Sequence, residues 1–367
     1  MFGVRASSIR PVFSIPSTIT ALTYGIAYSQ TMNVTESYVS NLGDYSLTVS
    51  SGSLPAGITF STSEKSFTLS GTPTSKSSYA FAIRASLLGT SYTVAYSGTP
   101  SVTKITASGG AIAFDYNGYR VHAFIASSNF VVSSGCDDVE VMLLSGGGGG
   151  RGDGNGGGGG GGGGKWVTTV SRVSGTHAVT IGAGGAAGSN GTASSAIGVF
   201  SPGGGGGGTV NSPGNVGGSG GGGGGFASGG IASSNGVGFT QTTGFNGGAG
   251  GFFNGGGGGG MGGTGNNGNA NPNETGGYGG SGQTTPFVTG WQDPATSVGR
   301  GGGGGGGGGN NGGVALGGAG GGEGRGNGGS TGGVGQNAAA TYGAGGGGGY
   351  YTGGQGSSGF VWIRYRL

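Results

Sequence analysis

Along the first quarter of the chain, apolar residues alternate with polar ones and are cut into short lengths by turn residues. Val12 to Ile15 opens the pattern, and Tyr45, Leu47 and Val49 follow at every second position. Leu54-Pro55-Ala56-Gly57 interrupts it before Ile58 to Phe60. Phe67 and Leu69 alternate ahead of Gly71-Thr72-Pro73, and Tyr79, Phe81 and Ile83 alternate after it. A spacing of two sends successive side chains to opposite faces of a strand, so each set marks one buried face. Short strands separated by turn signals predict a β-sandwich beginning at residue 10. No segment combines helical spacing with caps, so essentially no α-helix is expected.

Strand patterning continues through Tyr92–Tyr96, Ala111–Phe114, Tyr119–Phe124 and Phe130–Val132. Val139–Leu144 then runs directly into Ser145 and a stretch of glycine. Lys165 to Val173 and His177 to Ile181 read as a second hairpin. The chain closes on Phe360-Val361-Trp362-Ile363-Arg364-Tyr365, an alternating strand suited to return and pair with Val139–Leu144.

Composition divides the chain. Of 109 glycines, 12 fall in residues 1–144 and the remaining 97 in 145–367, so more than one domain is expected. Uninterrupted runs occupy 146–150, 156–164, 203–208, 220–225, 255–260, 301–309 and 345–349. They lack the Gly-X-Y period of collagen, and proline is scarce. Two states compete for them: a disordered tether, or an ordered array. Ordering a glycine costs about 1–2 kcal/mol of backbone entropy, and no side chain offsets it by burial. Main-chain hydrogen bonding must supply the compensation. A left-handed extended helix with three residues per turn makes no internal hydrogen bonds and points its N–H and C=O groups outward to neighbours. In that form a nine-residue run spans about 28 Å, at about 3.1 Å per residue. Hydrophobic and aromatic residues between the runs, and strands on either side, favour such a folded slab of parallel and antiparallel rods. Helix is excluded by propensity, and a bare glycine strand has nothing to set its register.

The segment Ser51-Gly52-Ser53-Leu54-Pro55-Ala56-Gly57 through Gly71-Thr72-Pro73-Thr74 resembles the signature of bacterial immunoglobulin-like modules related to cadherin-like domains. That resemblance covers about 75 residues, and it implies a spacer or attachment unit without catalytic residues. Tyr119–Phe124, Phe130–Val132, Asp138–Val141, the first glycine run, Val179-Thr180-Ile181-Gly182-Ala183-Gly184-Gly185 and the terminal Gly359–Tyr365 are similar, in that order, to glycine-rich domains of phage tail proteins. The similarity spans about 112–367. It implies packed polyglycine II helices with loops that contact a host receptor. The expected layout is an N-terminal arm at 1–9, an immunoglobulin-like sandwich at 10–105 and a glycine-rich domain at 106–367. Strands over 111–144, 165–181 and 360–366 frame the polyglycine II runs of the last.

The function that this implies is a non-enzymatic phage virion surface protein of tail-fibre or adhesin type. A purely structural capsid, neck or fibre protein is the alternative, and a glycan depolymerase is a third. The depolymerase would need paired carboxylates, whereas the glycine-rich half has only Asp153, Glu274, Asp293 and Glu323, widely scattered. Expected partners are other virion proteins, through the N-terminal region, and a host cell-surface glycan or outer-membrane protein. Homo-oligomers are compatible with this role. Loops between runs carry the candidate receptor contacts: Phe226, Phe239, Phe245, Phe252, Phe253, Tyr278, Phe287, Trp291, Tyr342, Tyr350 and Tyr351. The competing role for each is as apolar cover on the slab.

Charge changes little in this picture. Charged residues are 7% of the chain and the net charge is +3, with no cationic cluster, so nucleic acid is not an expected partner. Neither a secretory signal nor a stretch of about 20 apolar residues is present, so a virion component assembled in the host cytoplasm and not inserted in membrane is expected. Arg151-Gly152-Asp153, Arg300-Gly301-Gly302 and the many Gly-x-Gly-x-x-Gly matches arise readily in such composition and carry no assignment. Cys136 stands alone, which excludes an intrachain disulfide and a thiolate cluster. Asp137, Asp138 and Glu140 match no calcium loop and read as a solvated strand start. His122 and His177 sit in strand patterns without triad or zinc partners, and read as structural. No cofactor or metal is expected.

Overall fold

In the computed structural model, residues 12–37, 46–87, 89–152, 157–231, 244–269, 276–281, 333–338 and 343–367 are described. The expected arm at 1–9 and the run 301–309 lie outside them. Sixteen strands and no α-helix are found among the described residues. The chain divides into two compact units, the first built from residues 1–106, 133–138 and 171–174 and the second from the rest.

The first unit contains β1 (Val12–Ser14), β2 (Tyr28–Asn33), β3 (Thr35–Ser37), β4 (Ser46–Ser53), β5 (Ile58–Ser63) and β6 (Ser66–Gly71). β7 (Tyr79–Leu87), β8 (Thr90–Gly98) and most of β9 (Thr103–Ser108) complete it. Two three-stranded antiparallel sheets form, in the orders β2-β6-β5 and β4-β7-β8, beside a β1–β3 pair. Alternation in β6 buries Phe67 and Leu69, while β7 buries Phe81, Ile83 and Ala85. Residues of both sheets share one apolar cluster, with Met32 and Ile58 from one meeting Leu47 and Tyr96 from the other. That shared core is what makes the pair of sheets a sandwich.

In the second unit, β10 (Ile112–Tyr116), β11 (Tyr119–Phe124), β12 (Ser128–Leu144), β13 (Lys165–Thr180), β14 (Ser194–Ala196), β15 (Val199–Ser201) and β16 (Phe360–Arg366) form one sheet. Its order is β10-β11-β16-β12-β13-β14-β15. The terminal strand lies between β11 and β12, with Val141 opposite Ile363 and His122 opposite Ile363 on the other side. The pairing with Val139–Leu144 is as expected, but the strand is buried on both faces. Phe360 and Trp362 pack with Val121, Met142, Leu144 and Met261, and Val361 and Ile363 are equally covered. The expected hairpin at 165–181 is instead one continuous strand. Arg172 and Gly175 take positive φ without reversing the chain. Ser174-Gly175 has the composition of a turn but lies within the strand.

Beyond Leu144 the glycine segments bond to one another with a period of three. Gly148 and Arg151 donate to Gly161 and Gly158, Gly146 and Gly149 to Thr192 and Ser189, and Gly147 and Gly150 to Ser357 and Gly354. Segment 157–164 is the most enclosed. Its Gly157, Gly160 and Gly163 donate to Gly349, Gly346 and Gly343; Gly158 and Gly161 donate to Gly208 and Gly205; Gly159 and Gly162 donate to Gly256 and Gly259. It accepts in turn from 145–151 and from Ser219 and Gly222. Falling acceptor numbers mark antiparallel neighbours, rising ones parallel neighbours, and both occur. A three-residue period of outward bonds is what rods with three residues per turn require. Where a rod lacks a neighbour, asparagine substitutes for one. Asn190 Oδ1 accepts from Gly206 N at 2.8 Å while its Nδ2 donates to Val216 O at 2.9 Å. Asn267 and Asn337 likewise accept from Ala249 N and Gln355 N.

Buried serines join strands to rods. Ser194 Oγ donates to Leu144 O at 2.8 Å and accepts from Gly182 N, and Ser145 Oγ donates to Ser201 O. Close approach is why the rods must be glycine. A Cβ at Gly160 would lie inside van der Waals contact of the Gly148 carbonyl, backbone against backbone. Gly160→Ala is therefore expected to destabilise the chain by about 3 kcal/mol or more, as severe overpacking does. At Gly118 there is open space and a φ of +80°, which confines Gly118→Ala to strain of about 1–2 kcal/mol. Denaturant unfolding of both variants checks this; equal losses would refute the close-packing explanation.

Candidate functional site

The rods have two distinct ends. At one, β12, β13 and β16 join the rods through Ser145, Gly164 and Gly359, with Ser145 N donating to Gly164 O at 3.0 Å. At the other end Arg151 N donates to Gly158 O, and Gly349 N donates to Arg151 O at 2.8 Å. The register of the ladders places the remaining turns. Gly225 and Gly255 fall at the Arg151 end, because Gly256 N donates to Gly223 O and Gly159 N to Gly256 O.

Five of the candidate aromatics therefore stand at the end away from the strands. Phe226 sits in a tight turn where Ala227 N donates to Gly224 O, with a φ of +65°. Its ring lies 4.8 Å from Phe252 and 5.3 Å from Phe253, and the latter two rings are 4.8 Å apart, all edge-to-face. Phe226 is 47% exposed and Phe252 50%. Asn254, buried in the same turn, donates through Nδ2 to Asn269 O at 3.1 Å and holds the loop. Tyr350 and Tyr351, just past Gly349, pack edge-to-face at 4.6 Å, and Tyr351 is 64% exposed. These contacts are aromatic pairs that satisfy one another while leaving surface to solvent.

Two further candidates are placed elsewhere. Phe245 donates through its N to Gly260 O and accepts at its carbonyl from Gly220 N, which puts it at the strand end. Tyr278 lies along a rod, its carbonyl accepting from Asn266 N, with its side chain half exposed. Phe239, Phe287, Trp291 and Tyr342 lie outside the described residues. Among the described residues of the rods and their turns, Arg151 is the one charged side chain. Among the described residues no group of His, Cys, Asp and Glu could hold a metal, and no helix is long and apolar enough to cross a membrane.

The acidic cluster is not a solvated strand start. Asp138 accepts from Tyr24 Oη at 2.7 Å and from Lys76 Nζ at 2.8 Å, and Lys76 also pairs with Asp137. Burial pushes the Asp138 carboxyl up, but the Lys76 and Tyr24 hydrogen bonds outweigh it and hold the group below its ordinary value. Glu140 pairs with the buried Arg364 at 2.6 Å. Partners distant in sequence, such as Lys76 and Arg364, could not be read from local spacing. Met261, which covers the sheet, carried no sequence signal either.

A glycine-rich domain family matches residues 125–366, and the chain belongs to that family. Residues 10–103 match a family described as Putative Ig domain. No curated protein matches the chain. This pairing of domains is consistent with a surface or fibre protein.

His122 has a structural setting. It is 2% exposed, stacked on Tyr365 at 5.8 Å and edge-on to Phe130. Its Nδ1 donates to Gly109 O at 2.8 Å, which leaves Nε2 unprotonated and, among the described residues, without a hydrogen-bond partner. Burial holds its pKa below the ordinary value, and Arg120 adds to the effect. Because the folded value lies below the unfolded one of about 6.5, protonation favours the unfolded chain. Stability is thus full above about pH 6.5 and falls as pH drops below it. Asp138 acts only in stronger acid, below about pH 4. Denaturation midpoints should fall from about pH 7.5 to 5.5 in the native chain and fall less in His122→Phe; identical slopes would exclude His122 as the cause.

Proposed function

We propose that this chain is a non-catalytic bacteriophage surface protein of tail-fibre or adhesin type, which presents aromatic turns on a glycine scaffold to a host cell-surface ligand. The observation that carries this reading is the convergence of Phe226, Phe252, Phe253, Tyr350 and Tyr351, from three chain segments, on one end of the rods. Loops on a rigid frame are where recognition concentrates. Aromatic anchors dominate binding energy in such contacts. The opposite end is occupied by the sheet, which leaves the aromatic end as the presenting one. Attachment to other virion proteins falls to the immunoglobulin-like unit and the N-terminal residues, and assembly takes place in the host cytoplasm. The alternative, a decoration or fibre protein that supplies rigidity alone, would make these aromatics cover for the rod ends.

Adsorption to host cells separates the two. Purified full chain carrying Phe226→Ser and Phe252→Ser should bind cells at least about 30-fold more weakly, the loss of about 2 kcal/mol typical of an aromatic anchor. Phe245→Ser, at the strand end, should bind as the native chain does. Undiminished binding by the double variant, with a folded far-UV spectrum, would leave the structural alternative standing.

A further inference from the structure

The paired turns that mark the immunoglobulin-like unit build more than a chain reversal. A cavity of about 360 Å³ opens where they meet the start of β7. Its walls include Ser53, Leu54, Pro55, Ser77, Ser78 and Tyr79. We propose that this cavity is a binding site for a small, uncharged saccharide, formed by the Leu54–Gly57 turn and the Ser75–Ala80 segment.

The walls are preorganised. Ile58 N donates to Pro55 O at 2.9 Å, Thr72 N to Gly57 O at 3.1 Å and Thr74 N to Ala56 O at 2.8 Å. Gly57, at a φ of +85°, would with a Cβ collide with the Thr72 carbonyl, so the two turns are locked together by backbone contact. Ser75 Oγ accepts from Ser77 N at 3.1 Å and fixes the opposite wall. A site rigid before binding loses little ordering entropy when occupied.

The lining chemistry selects the ligand class. The Ser53, Ser77 and Ser78 hydroxyls form no hydrogen bond among the described residues, and each can donate or accept. Tyr79 borders the cavity with its ring packed on Phe81 and the sandwich core, and its phenolic hydroxyl has no hydrogen-bond partner among the described residues. Its ring runs over Gly98, where a Cβ would lie 2.7 Å from Oη. Leu54 and Pro55 supply apolar surface. Serine hydroxyls beside the apolar carbons of Leu54 and Pro55 match a sugar, which offers hydroxyls at its rim and C–H groups on its faces. The nearest cation in sequence, Lys76, is committed to Asp137 and Asp138 and leaves no net positive charge to attract an acidic ligand. The volume is at the low end of the range of about 300–1,000 Å³ for small-molecule sites, which suits a mono- or disaccharide.

Saturation-transfer NMR on the full chain tests this with the methyl glycosides of glucose, galactose, mannose and N-acetylglucosamine at about 10 mM, a concentration suited to weak binding. Transfer to ring C–H protons of at least one glycoside is expected, reduced about fivefold or more in Tyr79→Leu and in Ser78→Trp, which fills the cavity from an exposed position. The Phe226→Ser, Phe252→Ser variant should retain the signal, which separates this site from the rod-end aromatics. Tyr79→Phe should weaken it less than Tyr79→Leu does. No transfer to any of the four, transfer undiminished in both cavity variants, or stronger transfer to glucuronate than to glucose would overturn the proposal.

Discussion

The glycine array of the second unit depends on one constraint: a glycine backbone has no side chain of its own and must satisfy its hydrogen bonds chiefly through other backbone. An isolated extended rod leaves all its N–H and C=O groups unpaired, which is tolerable in water and costly in a packed interior. Bonding outward in three directions solves this only if several rods pack together. Segment 157–164 donates to three neighbours and accepts from two more, so no rod is stable by itself. The array is cooperative in the way a sheet is, but in two dimensions across the rods. The requirement for close approach then leaves room in the interior for little beyond glycine and an occasional small or capping residue such as Ser219, Ala344 or Asn254, which explains the unbroken runs without appeal to flexibility.

The same constraint governs the margins. A rod at the edge of the array faces the problem of an edge strand, with unpaired backbone groups available to any other chain. Asn190, Asn267 and Asn337 answer it by placing an amide where the next backbone would be. The sheet supplies the other boundary. Ser145 and Ser194 bridge the change from strand to rod, where the hydrogen-bonding period passes from two to three and some groups would otherwise be left buried and unpaired. Bulky side chains are thereby kept to the sheet, the turns and outward-facing positions such as Tyr278, and the turns are where Phe226, Phe252 and Tyr351 stand exposed.

The immunoglobulin-like unit works by the opposite physics. Its core is apolar, shared between two sheets, and its glycines act singly at turns such as Gly57. A half-buried ionic group at Asp138, tied to Tyr24 and Lys76, holds residues 133–138 in that unit. One chain thus contains a fold stabilised by side-chain burial and another stabilised by main-chain bonding.

Local periodicity shows many of the strands of both units, the lack of α-helix among the described residues and the return of Phe360–Tyr365 beside Val139–Leu144, because alternation is written residue by residue; short strands such as Tyr28–Asn33 and Ser194–Ala196 carry no such signal. It was also enough to show that ordered glycine runs would need to bond outward, since this follows from glycine having no side chain. The continuous strand at Lys165–Thr180 is not legible locally, because Ser174-Gly175 has the composition of a turn and only pairing with neighbouring strands decides against a reversal. The partners of Asp137, Asp138 and Glu140 were out of reach for the same reason, being distant in sequence. Which aromatics share an end was likewise decided by tertiary structure. Phe226 and Tyr351 are 125 positions apart in the chain, and only the register of hydrogen bonds between rods brings their turns to the same side while sending Phe245 to the other.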